Sequence, residues 1–349
     1  MDLKPKLLCF LLNLLCLSLL AQNTKPNETK QDTINGIIYG EQPNAHIYIY
    51  KNRITTRAFF VKTSNSINIR NRGNPNEEFV LSPNNQDKIG VSVAFRSISA
   101  SYSFSPNSLA ENPKDKNSNL FNLNLRNYFG RHFMQTLDIY SQKGVILEIG
   151  NDPQAYLPDT KTFKIGGSTS YIFNENFSYR ALATQDEKQL KSAGTLIPRL
   201  VYYFTKHDLN AYSNDPNTQS VSTDYNSFDI AFAPSYVYNF VPTKNLFISA
   251  GASAGIGLNY SNNPAGEDDT TSLLTELDFR GTITYDINFL YLGAHYNYLI
   301  LNHNSDRSSY IKDDIPYLQV FIGYRFNAPK KLVDKADRIN GKINEKIGI

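Results

Sequence analysis

Tryptophan is absent from the 349 residues, and cysteine occurs only at Cys9 and Cys16, inside the N-terminal apolar segment. Once that segment is removed, no disulfide frame, thiol catalysis or thiolate metal site is available to the chain. Charge of one sign is also lacking: the net charge of +3 excludes the basic surface of a nucleic-acid binder and a strongly acidic surface alike. Beyond the N-terminus there is no run of about 18 apolar residues, so no membrane-spanning helix is expected. The chain has no His-Glu-x-x-His site, Gly-x-Ser-x-Gly elbow or phosphate loop, and only five histidines, His46, His132, His207, His295 and His303. KIGGSTS (164–170) has paired glycines but lies in a strand with no helix after it. No cofactor, no metal and no nucleic-acid partner are expected.

What is present begins with Lys4 and Lys6, followed by an apolar run from Leu7 to Ala21. A charged start, a short apolar core and a small residue at its end predict a cleaved secretory signal peptide over 1–21. A transmembrane anchor would need about 20 apolar residues, more than the run supplies. Residues 22–45, rich in Asn, Thr, Lys, Gln and Pro, read as a flexible periplasmic leader. An exported chain without disulfides must be held by a large core or a closed ring of hydrogen bonds.

From Ile54 onward, strand-like runs alternate with polar segments. In TELDFRGTITYD (275–286), Glu276, Asp278, Arg280, Thr282, Thr284 and Asp286 occupy every second position, with Leu277, Phe279, Gly281, Ile283 and Tyr285 between them. A period of two gives a strand with one wet and one dry face. The same alternation sets Ile89, Val91, Val93 and Phe95 against Gly90, Ser92 and Ala94, and Ile98, Tyr102 and Phe104 against serines at 97, 99, 101, 103 and 105. It also sets Leu318, Val320, Ile322, Tyr324 and Phe326 against Tyr317, Gln319, Phe321, Gly323 and Arg325. A soluble sandwich would show such alternation too, but its strands usually run about 5–6 residues and its wet face carries Lys and Glu. Strands long enough to cross a bilayer, small polar residues opposite the apolar face, and aromatics near strand ends (Phe95, Tyr128, Tyr171, Phe173, Phe240, Tyr260, Tyr285, Phe326) predict a transmembrane antiparallel β-barrel over 46–328. Fourteen candidate strands, with 66–82 broken and 176–184 among them, lead to 12–14 spans. Short turns and long loops alternate except around 184–225, where two longer connections follow one another. Either one candidate is no barrel strand, or one long loop is periplasmic. The periplasmic tail, 329–349, places Leu332, Ala336, Ile339, Ile343 and Ile347 at helical spacing. A short amphipathic helix is expected there, read as a solvated end in preference to a periplasmic contact.

The segments FVLSPNN (79–85), IGVSVAFRSISASYSFSP (89–106) and FSYRALATQDEKQLKSAGT (177–195) resemble domain-of-unknown-function family 4421 of Gram-negative outer-membrane barrels. The resemblance rests on Phe177, Ser178, Tyr179 and Arg180, followed by Gln189, Lys191, Ser192, Ala193 and Gly194. Leu190 is a small departure, as is Thr195 where Ser is expected. It implies a barrel and an outer-membrane location, but no activity or ligand.

Candidate lumen-lining residues are Arg96, Arg126, Arg180, Arg199, Asp229, Glu276, Asp278, Arg280 and Arg325. They form either a selectivity or ligand surface or, the reading preferred here, a structural network of ion pairs. QDEKQLKS (185–192) is read as a solvated helical turn in preference to a constriction inside the lumen. No catalytic residue is assigned, because His303 with Ser305 and His207 with Asp208 lack an oriented partner. The expected function is a non-catalytic pore or binding barrel for a small-molecule or extended ligand. The alternatives are a lipid-active enzyme and a surface-loop adhesin or structural barrel. The expected partners are outer-membrane lipid and, during insertion, the barrel-assembly machinery.

Overall fold

The structure, a computed structural model, describes residues 30–63, 66–71, 78–84, 87–112, 117–149, 152–211, 221–262, 269–304 and 309–347. The expected signal peptide lies outside the described residues. In chain order the elements are β1 (Lys30–Ile34), β2 (Ile37–Gln42), β3 (Ile47–Ile49), β4 (Arg53–Thr63), β5 (Ser66–Asn71), β6 (Glu78–Pro83), β7 (Lys88–Phe95), β8 (Ile98–Phe104), β9 (Asn119–Phe129), β10 (Phe133–Ile149) and β11 (Asp152–Tyr171). They continue with α1 (Tyr179–Ala183), β12 (Glu187–Gln189), β13 (Ala193–Ile197), β14 (Arg199–Ala211), β15 (Val221–Phe232), β16 (Ser235–Phe240), β17 (Leu246–Asn262), β18 (Thr270–Ile287), β19 (Leu290–Asn304), β20 (Ser309–Asn327) and α2 (Lys330–Ile347).

Sixteen strands form one antiparallel sheet, and the pairing of β10 with β11 closes it into a ring. Four of them continue others, leaving twelve spans among the described residues. β4 and β5 pair with β20 in one register: Tyr317 faces Thr63 and Asp314 faces Ser66. β13 and β14 are one span interrupted at Pro198, and β15 and β16 are one span interrupted at Pro234. Ile197 faces Ser235 and Leu200 faces Phe232, so the register passes unbroken across both prolines, which have no N–H for the ladder. β6 leads into β7 but leaves its course to pair with β10, where Val145 faces Pro83. Twelve spans agree with the lower end of the expected range. Candidate 66–82 adds no span of its own, because it extends two others.

The faces follow the alternation. On β18, Leu277 is 43% and Phe279 49% exposed, whereas Asp278 is 2% exposed. Ile89, Val91 and Val93 of β7, Ile98, Tyr102 and Phe104 of β8, and Leu318 to Phe326 at alternate positions of β20 all face outward. This makes an apolar belt around the ring. Tyr128 was expected among the outer aromatics, but it is buried and faces inward.

Both ends of the described chain and the tight turns lie at one end of the ring, the turn end. There the structure corrects two expectations. The described part of the leader is ordered: β1, β2, β3 and β12 form a small second sheet, with Ile47 facing Gln189. Candidate strand 176–184 is no strand, and the connection 172–192 does not project into solvent. It folds inward as α1 and β12, with Phe177, Ser178, Tyr179, Gln185, Asp186, Glu187 and Gln189 all buried. The irregular alternation of loop lengths has this cause: one long connection lies at the turn end. α2 is the expected helix, and Asp337 on it meets Arg96 at 2.6 Å.

An arginine placed on the belt has no water to meet. Phe279→Arg is expected to destabilise the barrel by about 2–4 kcal/mol, read as a lowered urea midpoint in lipid vesicles.

Candidate functional site

The inward connection is a plug built from its own sequence. Ser178 caps α1: its hydroxyl accepts from Ala181 N at 3.0 Å and donates to Glu187 Oε2 at 2.6 Å. Gln189 fastens the return. Its Oε1 accepts from Ser178 N at 2.8 Å and from Asn239 Nδ2 at 3.0 Å, and its Nε2 donates to Asn176 O at 2.7 Å. Below α1, Phe177 and Leu182 pack with Met134, Ile172, Ile197, Val237 and Phe247 in an apolar core inside the ring. The inner wall therefore turns from polar to apolar toward the turn end.

Arginines join the plug to the wall. Arg180 on α1 pairs with Asp186, and with Glu187 at 3.3 Å, and donates to Arg96 O. Arg57 Nη1 on β4 donates to Ala183 O at 3.2 Å and to Gln185 Oε1 at 3.1 Å. Arg325, whose side chain is wholly buried, donates to Gln185 O at 2.7 Å and to Asp286 Oδ1 at 2.6 Å. Its guanidinium lies between the rings of Tyr50 and Tyr291, at 4.4 and 4.3 Å. At this mouth, burial pushes the Tyr50 phenol above its ordinary value and the Lys188 ammonium below its own.

Above the plug lies a cavity of about 710 Å³. Tyr179, at the tip of α1, forms its floor, where its hydroxyl accepts from Arg280 Nη1 at 2.9 Å. One wall neutralises itself. Arg199 pairs with Glu276, Arg280 pairs with Asp278, and Asp229 Oδ1 accepts from Asn259 Nδ2 at 2.5 Å. Asp138 accepts from Tyr203 Oη at 2.7 Å and from Asn124. His295 accepts from Arg57 Nη1 on Nε2 at 3.0 Å and faces Thr282 Oγ1 with Nδ1 at 2.9 Å, so these partners place its proton on Nδ1.

The structure brings six of the nine sequence-predicted lumen residues to the cavity wall: Arg126, Arg199, Asp229, Glu276, Asp278 and Arg280. It moves the other three. Arg96 occupies the β7–β8 turn with φ +54° and bonds Asn52 Oδ1 at 2.9 Å, because the tight turn takes it out of the strand. Arg180 belongs to the plug, and Arg325 lies beneath it. Sequence reasoning missed Arg57, Tyr179, Tyr203 and His295. Arg57 sits at an inward position of a strand whose alternation is legible; Tyr179 fell in candidate strand 176–184, which is helical at that point. Of the catalytic candidates, His207 meets Thr162 Oγ1 at 2.9 Å while Asp208 meets Lys206 at 2.8 Å, so the two turn to different partners. The His303 side chain and Ser305 lie outside the described residues. No group of three or more potential metal ligands stands together among the described residues.

A closed antiparallel ring with an apolar belt and a polar interior is a transmembrane β-barrel. This chain belongs to the family described as a domain of unknown function, DUF4421, whose model matches residues 31–326. Comparison with curated proteins finds no match. Among solved structures, the outer membrane protease OmpT from Escherichia coli is 9% identical, with a TM-score of 0.39, over 80% of this chain and 98% of that one. An outer membrane channel from Pseudomonas putida F1 is 9% identical, with a TM-score of 0.37, over 87% of this chain and 100% of that one. The outer membrane protein OprG from Pseudomonas aeruginosa is 12% identical, with a TM-score of 0.28, over 80% and 97%. These likenesses concern the fold alone.

Arg325→Met leaves Asp286 buried without its guanidinium. The expected loss is about 3–5 kcal/mol of stability, with part of it recovered in Arg325→Met/Asp286→Asn, read from urea midpoints of the refolded barrel.

Proposed function

We propose that the chain is an outer-membrane barrel that binds a small ligand in a lumen closed at its periplasmic end, and that it is not a standing pore. The observation carrying this reading is the inward fold of 172–192, tied to the wall by Arg57 and Arg325 and seated on the apolar core around Phe177. Short turns are periplasmic in barrels of this class, which supports reading the plug and the two ends of the described chain as periplasmic. The cavity falls within the roughly 300–1,000 Å³ that small-molecule sites occupy. Its polar groups suit recognition: hydroxyls, amides and guanidiniums converge on it.

In planar lipid bilayers the full chain is expected to remain closed. A variant with 177–190 replaced by a flexible Gly-Ser linker is expected to carry steady current, because that segment supplies the α1 and β12 that fill the ring at the turn end. Steady current through the unaltered chain, equal to that of the variant, would overturn the reading.

A further inference from the structure

The charges of the cavity are not evenly matched. The β14–β18 side is self-neutralised, as Arg199 with Glu276 and Arg280 with Asp278 show. The β4–β9 side is not. Arg57 on β4 donates to neutral acceptors only: Ser92 Oγ at 3.2 Å, His295 and the plug. Lys88 on β7 is 6% exposed, lines the cavity and has no ion-pair partner among the described residues. Arg126 on β9 lies over the Tyr179 ring at 5.8 Å and leaves its buried Nε without a hydrogen-bond partner. Asp138, the carboxylate whose field reaches Arg126, already accepts from Tyr203 and Asn124.

Between these cations the wall is a ladder of small donors. In the register of β8 and β9, Ser99 faces Arg126, Ser101 faces Asn124 and Ser103 faces Asn122, and all six line the cavity. The Asn122 Oδ1 is buried and unpartnered. The ladder runs about 13 Å along the strand, at 3.3 Å per residue.

Cations held away from water need a counter-charge. Among the described residues none is supplied on the β4–β9 wall, whereas the other wall is carefully matched. We infer that the β4–β9 wall is a binding site for a hydroxylated organic anion. Arg126 and Arg57 receive its oxyanion head, a phosphate or a carboxylate, while Lys88 adds charge further up. The serine–asparagine ladder takes its hydroxyl-bearing body. Guanidiniums suit planar or tetrahedral oxyanions because they donate in pairs, and serine and asparagine both donate to and accept from hydroxyls. This inference rests on the reading of the lumen as a binding cavity and gives it a ligand class.

Calorimetric titration of the full chain, folded in detergent, with glucose-6-phosphate, glucuronate and glucose tests it. Saturable binding of either anion is expected, and which of them binds fixes the head group. Glucose is expected to bind at least about tenfold more weakly. Arg126→Gln, and separately Lys88→Gln, are expected to weaken the anion by a similar factor while keeping the folded, heat-modifiable band on a gel. Lys88 has no ion-pair partner to lose among the described residues, so that variant stands even where the Arg126 change disturbs Tyr179. Equal binding of glucose, or anion binding unaltered in both variants, or no saturable binding of either anion would overturn the site. Silent titrations alongside a closed bilayer would remove the anion site and leave the plugged barrel in place. A conducting bilayer would remove the plug whatever the titrations show.

Discussion

Hydrocarbon offers no partner to a peptide N–H or C=O, and this one constraint organises the rest of the molecule. The ladder must close on itself, and it does where β10 meets β11. It must also continue through places where the sequence would break it. Pro198 and Pro234 lie opposite each other's spans at the level where β13 passes into β14 and β15 into β16. The register resumes on both sides of them, and Ser235 Oγ donates to Ile197 O at 3.1 Å at that level. Because the ring is closed, side-chain direction is fixed by parity, and charged residues at inward positions of a span, such as Arg57, Arg126, Glu276 and Asp278, are committed to the lumen.

Charges so committed need partners, and for two sets of arginines the chain has provided them. Across β14–β18 they come from neighbouring strands. At the turn end they come from the inward connection, whose backbone carbonyls and Gln185 amide meet Arg57 and Arg325. The plug is thus a counter-surface for the wall as much as a stopper. Its seat is apolar on one side and charged on the other, which fixes both its depth and its orientation. The small sheet of β1, β2, β3 and β12 adds main-chain pairing from outside, with Leu190 N donating to His46 O at 2.6 Å.

The ring was legible because period two is a local signal. β18 and β20 could be assigned face by face, and inward serines on β8 marked a crowded interior. The plug was not legible, for a physical reason. FSYRALATQDEKQLKS has no period to betray a buried face, and its charges look like those of a solvated turn. Only their partners, Arg57 and Arg325 at remote positions, reveal the burial. One sign was present: Phe247 stands in the otherwise small, polar face of β17, as Val237 does on β16, and both pack under α1. Inward apolar residues gathered at one end of several strands point to something apolar that fills that end. Arg96 was misplaced because nothing in Phe95-Arg96-Ser97 marks a turn; the structure accommodates Arg96 with a left-handed backbone.

The asymmetry of the cavity follows from strand length. β7, β8 and β9, at 8, 7 and 11 residues, are shorter than β10 and β11, at 17 and 20, and β6 passes over the end of the β8–β9 hairpin to reach β10. The crossing is held at Gly144, where φ is +91° and Gly144 O accepts from Asn84 N at 3.1 Å. A Cβ there would come within 2.6 Å of Tyr156 Oη, so the close approach needs glycine. Asn84 is almost wholly buried and donates to Ser118 Oγ at 3.0 Å, tying the hairpin's loop beneath the crossing. The hairpin therefore presents only a few inward positions, all serine, asparagine or arginine, between Lys88 and the plug. Long neighbouring strands could place acids opposite their arginines over many residues. The short hairpin has no such reach, and its arginine stays without a carboxylate of its own.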